Sequence, residues 1–243
     1  MRRAILLPLF VVLMLALVSF TPVSAKKPAP TCDGQTATIV GTKGDDTLSG
    51  TPGNDVIVGL QGDDAINGGL GDDVICGNQG ADTLQGQGGT DRLFGQQGND
   101  LLDGGEGGCC NPLTNTGDDF LSGGQGRDVL HTSDFPSLVP GSELHGDQGS
   151  DQLSVWSGGK ALGGGGRDTI RQFTGNSELS GGNGNDDILD WNDGGVQNET
   201  VTLLGANGKD KLASEDTTST ANMDGGRGSD SCTGGDTTTS CES

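Results

Sequence analysis

Between Gly41 and Asp103 one apolar side chain returns every nine residues: Leu48, Ile57, Ile66, Ile75, Leu84, Leu93 and Leu102. Each is the centre of a three-residue stretch such as Thr47-Leu48-Ser49 or Val56-Ile57-Val58. Six residues rich in Gly and polar side chains separate one stretch from the next. Neighbouring side chains of a strand point to opposite faces, so the pattern predicts short strands that bury only their central residue. The seven units run without a slip: GTKGDDTLS, GTPGNDVIV, GLQGDDAIN, GGLGDDVIC, GNQGADTLQ, GQGGTDRLF, GQQGNDLLD. Glycine fills the first and fourth positions of each, where the chain must turn. Two units close one flattened coil, turn-strand-turn-strand, and successive coils stack as parallel strands about 4.8 Å apart.

The polar positions keep the same phase. The sixth residue is always aspartate: Asp46, Asp55, Asp64, Asp73, Asp82, Asp91 and Asp100. Stacked coils place Asp46, Asp64, Asp82 and Asp100 in one column and Asp55, Asp73 and Asp91 in another. Bare carboxylates so arranged repel, and a hard divalent cation between them reverses that sign. Ca²⁺ takes roughly 6–8 oxygen ligands in flexible geometry. The thiolate and imidazole that softer metals prefer are nearly absent from these loops. The unit G-x-x-G-x-D-x-U-x resembles the nonapeptide of the RTX (repeats-in-toxin) family. That resemblance implies an all-β fold, a right-handed parallel β-roll (β-solenoid). It also implies several calcium ions, each between adjacent loops and held by two Asp side chains and backbone carbonyls.

After Asp103 the pattern is interrupted once. Gly104-Gly105-Glu106 opens a unit that residues 117–122 complete, with Asp119 at the sixth position, and 123–131 is again a full unit carrying Asp128. Further loops occur at wider spacing, ending in Asp151, Asp168, Asp186, Asp210 and Asp230, which are 17, 18, 24 and 20 residues apart. Eighteen residues is one coil, so one side of the roll is expected to keep its calcium loops. The other side becomes irregular at 135–140, 155–159, 173–176, 193–199 and 214–220. Strand candidates precede the kept loops around Leu144, Leu162, Leu179, Leu203 and Met223. The expected organisation is a signal peptide over 1–25, a linker and N-terminal cap over 26–37, the regular roll over 38–131, and its degenerate continuation over 132–243. With one apolar residue per unit the core is thin, and ordering backbone costs roughly 1–2 kcal/mol per residue. Folding coupled to metal binding is therefore expected.

Arg2 and Arg3, the apolar run from Ile5 to Phe20 and Val23-Ser24-Ala25 read as a secretory leader cleaved near Ala25. The run is shorter than the roughly 20 residues of a membrane-spanning helix. No transmembrane anchor is therefore expected after cleavage, and the protein is expected outside the cell. The formal net charge of −21 argues against nucleic acid and anionic membranes as partners. An exported chain with six cysteines suggests disulfides. Cys232 and Cys241 flank the C-terminal loop, and Cys32 with Cys76 offers a clip for the N-terminal arm. Cys109 and Cys110 remain, as a vicinal disulfide or as free thiols, and a zinc site has little support in the spacing. No HExxH, GxSxG or P-loop occurs, so no catalytic residue and no enzyme is expected. His145 reads as a surface residue, and Trp156 and Trp191 as gap-filling buried side chains. The functional expectation is a secreted calcium-binding β-roll with a structural or interaction role. The alternative is an extracellular hydrolase or a carbohydrate-active or adhesion protein using the irregular face of 132–220, with a protein or glycan partner the residues do not name.

Overall fold

The computed structural model describes residues 27–105, 118–132, 141–156, 158–191, 199–215, 220–234 and 237–241. The leader over 1–25, Cys109 and Cys110 lie outside the described residues. Among those described, every regular element is a strand. The chain alternates between two parallel sheets. One contains ten strands, from Thr47–Ser49 to Ser231–Thr233. The other contains twelve, from Ile39–Val40 to Thr237–Ser240. Each strand pairs with the strand one coil earlier and one coil later, which is the order of a parallel β-roll.

The ladder registers place the apolar residues in two inward columns. Ile57, Ile75, Leu93, Leu121, Leu144, Ala161, Leu179, Leu203 and Met223 stand in register in the larger sheet. Leu48, Ile66, Leu84, Leu102, Leu130, Leu153, Ile170, Ile188, Leu212 and Cys232 do so in the smaller. Nearly all are fully buried and form one continuous core. At one coil the inward residue is Ala161, and the expected Leu162 faces outward between His145 and Ser180. The reason is register. Counted back from its loop aspartate, Ala161 lies seven residues before Asp168, as Leu144 lies before Asp151. A one-residue slip changes face.

From Gln152 onward the coils widen and each sheet buries a second inward position. Val155, Gln172, Asp190 and Ser214 stand in register on one side, and Ser177, Val201 and Ala221 on the other. All seven are buried. The same alternation corrects the expectation for the tryptophans. Trp156 and Trp191 each follow an inward residue and so point out. Trp191 is 50% exposed, and Trp156 stacks on Phe173 with ring centroids 4.1 Å apart.

The N-terminal cap is an antiparallel hairpin of Thr31–Cys32 and Gln35–Thr36. It lies on the outer face of the larger sheet, where Cys32, Val58, Val74 and Cys76 form a small second core. The Cys32–Cys76 disulfide fixes it there, and a second disulfide joins Cys232 to Cys241 at the far end.

Candidate metal centre

Every loop aspartate singled out in the sequence falls on one of two columns along the edges of the roll. Asp46, Asp64, Asp82, Asp100, Asp128, Asp151, Asp168, Asp186, Asp210 and Asp230 form the long column. In each step the backbone N–H of one donates to Oδ1 of the next, at 2.8–3.0 Å. Asp55, Asp73, Asp91 and Asp119 form the short column in the same way. Thr38 begins it, its hydroxyl donating to Asp55 Oδ1 at 2.9 Å. Ser142 ends it, its Oγ taking the place of the next carboxylate for the N–H of Asp119 at 3.1 Å. The side chains therefore satisfy backbone donors at the point where sheet pairing lapses in the turn.

The fifth position carries a second ladder that the sequence reading missed. Asp45, Asn54, Asp63, Asp72, Asn99, Ser150 and Asn185 each accept the N–H of the fifth residue one coil later. The signal was present in the frequency of Asp and Asn at that position. Asp and Asn are the residues whose short side chains cap turn N–H groups.

The other carboxylate oxygen is different. Oδ2 of Asp64, Asp73, Asp82, Asp91, Asp100, Asp128, Asp151, Asp168, Asp186 and Asp210 is buried and accepts no hydrogen bond among the described residues. It lies against the first glycine of its own loop, on the side where the next coil presents a carbonyl oxygen. A Cβ on Gly205 would fall 2.6 Å from both Asp210 Oδ2 and the Gly225 carbonyl oxygen, and one on Gly146 would fall 2.7 Å from Asp151 Oδ2 and 2.6 Å from the Gly163 carbonyl. Loops such as these have a small cradle walled by a carboxylate and a carbonyl oxygen. The donors are hard and oxygen-only, the set that suits Ca²⁺. No cluster of three or more His, Cys, Asp or Glu side chains suited to a metal occurs among the described residues. Backbone oxygens must accordingly complete any coordination here.

Electrostatics agree with this. Burial raises the pKa of Asp73, Asp82, Asp186 and Asp210 to about 6, of Asp91, Asp100 and Asp151 to about 7, and of Asp119 to about 8. In most, neighbouring aspartates push the same way, against the backbone hydrogen bond. Asp64, Asp128 and Asp168 are also raised by burial. A buried anion without a counter-charge is costly, and a divalent cation is the counter-charge that two facing columns of oxygens admit.

Fold and cradle together define a parallel β-roll with edge columns of cation-binding oxygens. Residues 40–75, 77–108 and 113–134 match the family model for the RTX calcium-binding nonapeptide repeat, in four copies. This stretch is an array of RTX calcium-binding nonapeptide repeats. No curated protein matches the chain.

Proposed function

We propose that the protein is an exported calcium-binding β-roll, folded by several ions along its two edges, with a structural or interaction role outside the cell. The observation that carries this is the set of ten buried Oδ2 atoms without a hydrogen bond, in phase with the repeat. Calcium supplies positive charge to those oxygens and so removes the penalty of stacking carboxylates. The protein's own part is to hold the aspartates in line through their Oδ1 hydrogen bonds and to turn glycine carbonyls toward the same cradles. Export is supported by the charged, apolar and small-residue order of positions 2–25 and by the two disulfides, which persist in oxidising compartments. A non-catalytic role is supported by the lack of HExxH, GxSxG and P-loop motifs in the sequence.

A calcium titration followed by far-UV circular dichroism tests the coupling. The expected result is a disordered spectrum in chelator that becomes β-rich cooperatively at about 10⁻⁴–10⁻³ M calcium, and not with magnesium. A spectrum already β-rich in chelator and unmoved by calcium would overturn it. For export, N-terminal sequencing of protein recovered from the medium should begin at Lys26; retention of Met1 in the cells would refute it.

A further inference from the structure

The first loop of each column keeps the same glycine, carboxylate and carbonyl arrangement but differs from all that follow at its second position. In the loops from Gly59 onward the second position lies in the left-handed region wherever a side chain occupies it. Leu60, Asn78, Gln96, Asp147 and Ala206 have φ of 93°, 78°, 77°, 70° and 76°. Gln87 does the same in the short column, at 79°. The first loops carry Thr42 and Thr51 at this position, and neither has positive φ. A β-branched residue resists that region strongly, so threonine selects another turn. Its consequence is direct. Thr42 N–H and Oγ–H both donate to Asp46 Oδ2, at 2.5 and 3.0 Å. Thr51 N–H and Oγ–H both donate to Asp55 Oδ2, at 2.7 and 2.8 Å. These are the oxygens left without a hydrogen bond in the interior aspartates.

We propose that the loops 41–46 and 50–55 are hydrogen-bonded end caps that take no ion on Asp46 or Asp55, so that the ion columns begin at Asp64 and Asp73. This rests on the calcium reading of the interior cradles. Two donors converge on each terminal Oδ2 and occupy lone pairs that a cation would use. The threonines satisfy the carboxylate without metal. The hairpin and its disulfide lie over the same end of the roll, on Val58, Val74 and Cys76. The first coil is thereby a metal-independent seed on which the ion-dependent coils stack.

The experiment counts bound calcium per chain by native mass spectrometry at saturating calcium, with circular dichroism confirming the fold of each variant. Asp46→Asn and Asp55→Asn are expected to leave the wild-type count unchanged, whereas Asp82→Asn loses at least one ion. Thr42→Gly and Thr51→Gly free the second position to adopt positive φ and free Oδ2, and each should gain one ion. An ion lost in Asp46→Asn or Asp55→Asn, or no gain in either glycine variant, overturns the proposal while the calcium reading stands. A wild-type chain that binds no calcium overturns both.

Discussion

The two halves of the roll solve the same problem by different means. Over 38–131 each coil has carboxylates on both edges and one inward apolar residue per strand. Among the described residues from 141 onward the short column has ended at Ser142, the long column continues, and the coils are wide enough to bury a second inward position on each sheet, such as Val155 on one and Val201 on the other. Losing one line of cradles goes with gaining a line of core. The added inward line is mixed, Val155, Val201 and Ala221 with Gln172, Ser177, Asp190 and Ser214, so a stacked coil can give up one edge of carboxylates while it gains buried positions of both kinds. It does so without leaving its register.

The largest test of this contrast is chelation. A site filled at a hundred times its dissociation constant adds about 2.7 kcal/mol, and the first half has roughly twice as many loop aspartates per coil. Amide hydrogen exchange as chelator lowers calcium below saturation should therefore strip protection first from strands such as Thr83–Gly88 and Arg92–Gln97. Gln152–Val155 and Thr200–Gly208 should keep part of theirs. Equal loss across both halves would break the comparison.

Core truncation comes next. Leu93 and Leu179 occupy equivalent fully buried positions in the larger sheet. Replacing either with Ala should cost about 2–5 kcal/mol, measured by urea unfolding in calcium. The upper end is expected at Leu93, where its strand buries no second apolar neighbour to close the cavity. At Leu179 the wider coil and Val201 limit the loss. A larger cost at Leu179 would mean the second inward line adds volume but no support.

How much of this the sequence carried depends on what repeats. Strand phase, both aspartate columns and the loss of one edge follow from counting nines and eighteens, because each is a periodic quantity. The disulfides Cys32–Cys76 and Cys232–Cys241 followed from position relative to that frame. What escaped is what breaks period or acts through backbone geometry. Ala161 was hidden by a more hydrophobic neighbour, Leu162. Ser142 does a carboxylate's capping work with a hydroxyl. Thr42 and Thr51 look like ordinary variable positions until φ is considered. The outward Trp191 follows a buried Asp190, and an inward carboxylate in an apolar-looking strand is not something alternation of hydrophobicity announces.

pH offers a subtler probe, because the raised aspartates occur in both halves: Asp91 and Asp100 near 7 in the first, Asp151 near 7 and Asp186 and Asp210 near 6 in the second. Their folded values lie above the ordinary 3.8, so the metal-free fold holds protons that the unfolded chain has released. Its stability is then greatest below about pH 4 and is lost as pH rises toward 7–8. Calcium must displace those protons, so the calcium midpoint should rise as pH falls from 8 to 5.5, with protons released on binding. In chelator the residual β-rich signal should be larger at pH 5 than at pH 8. A midpoint independent of pH would show that the long column is not one chemically continuous line through both halves.

The smallest effect concerns the hairpin, which braces the first half alone. Arg92 reaches from the larger sheet to Asp33 at 2.9 Å. Its guanidinium also lies over Phe94 and Phe120, 5.6 and 4.9 Å from the ring centroids. The ion pair is substantially exposed, and such pairs contribute about 0.2–1 kcal/mol; the ring contacts add about 0.5–1 kcal/mol at exposed sites. The disulfide already fixes the hairpin at Cys76, so Arg92 only orients its tip. Arg92→Ala should therefore lower stability in calcium by about 1 kcal/mol. Arg92→Lys should recover part of that, because lysine keeps the charge but loses the planar stack. If the cost instead reached that of Leu93→Ala, the hairpin would be a structural partner of the whole first half rather than a clip on its outer face. The contrast between the halves would then owe as much to that clip as to the second carboxylate column.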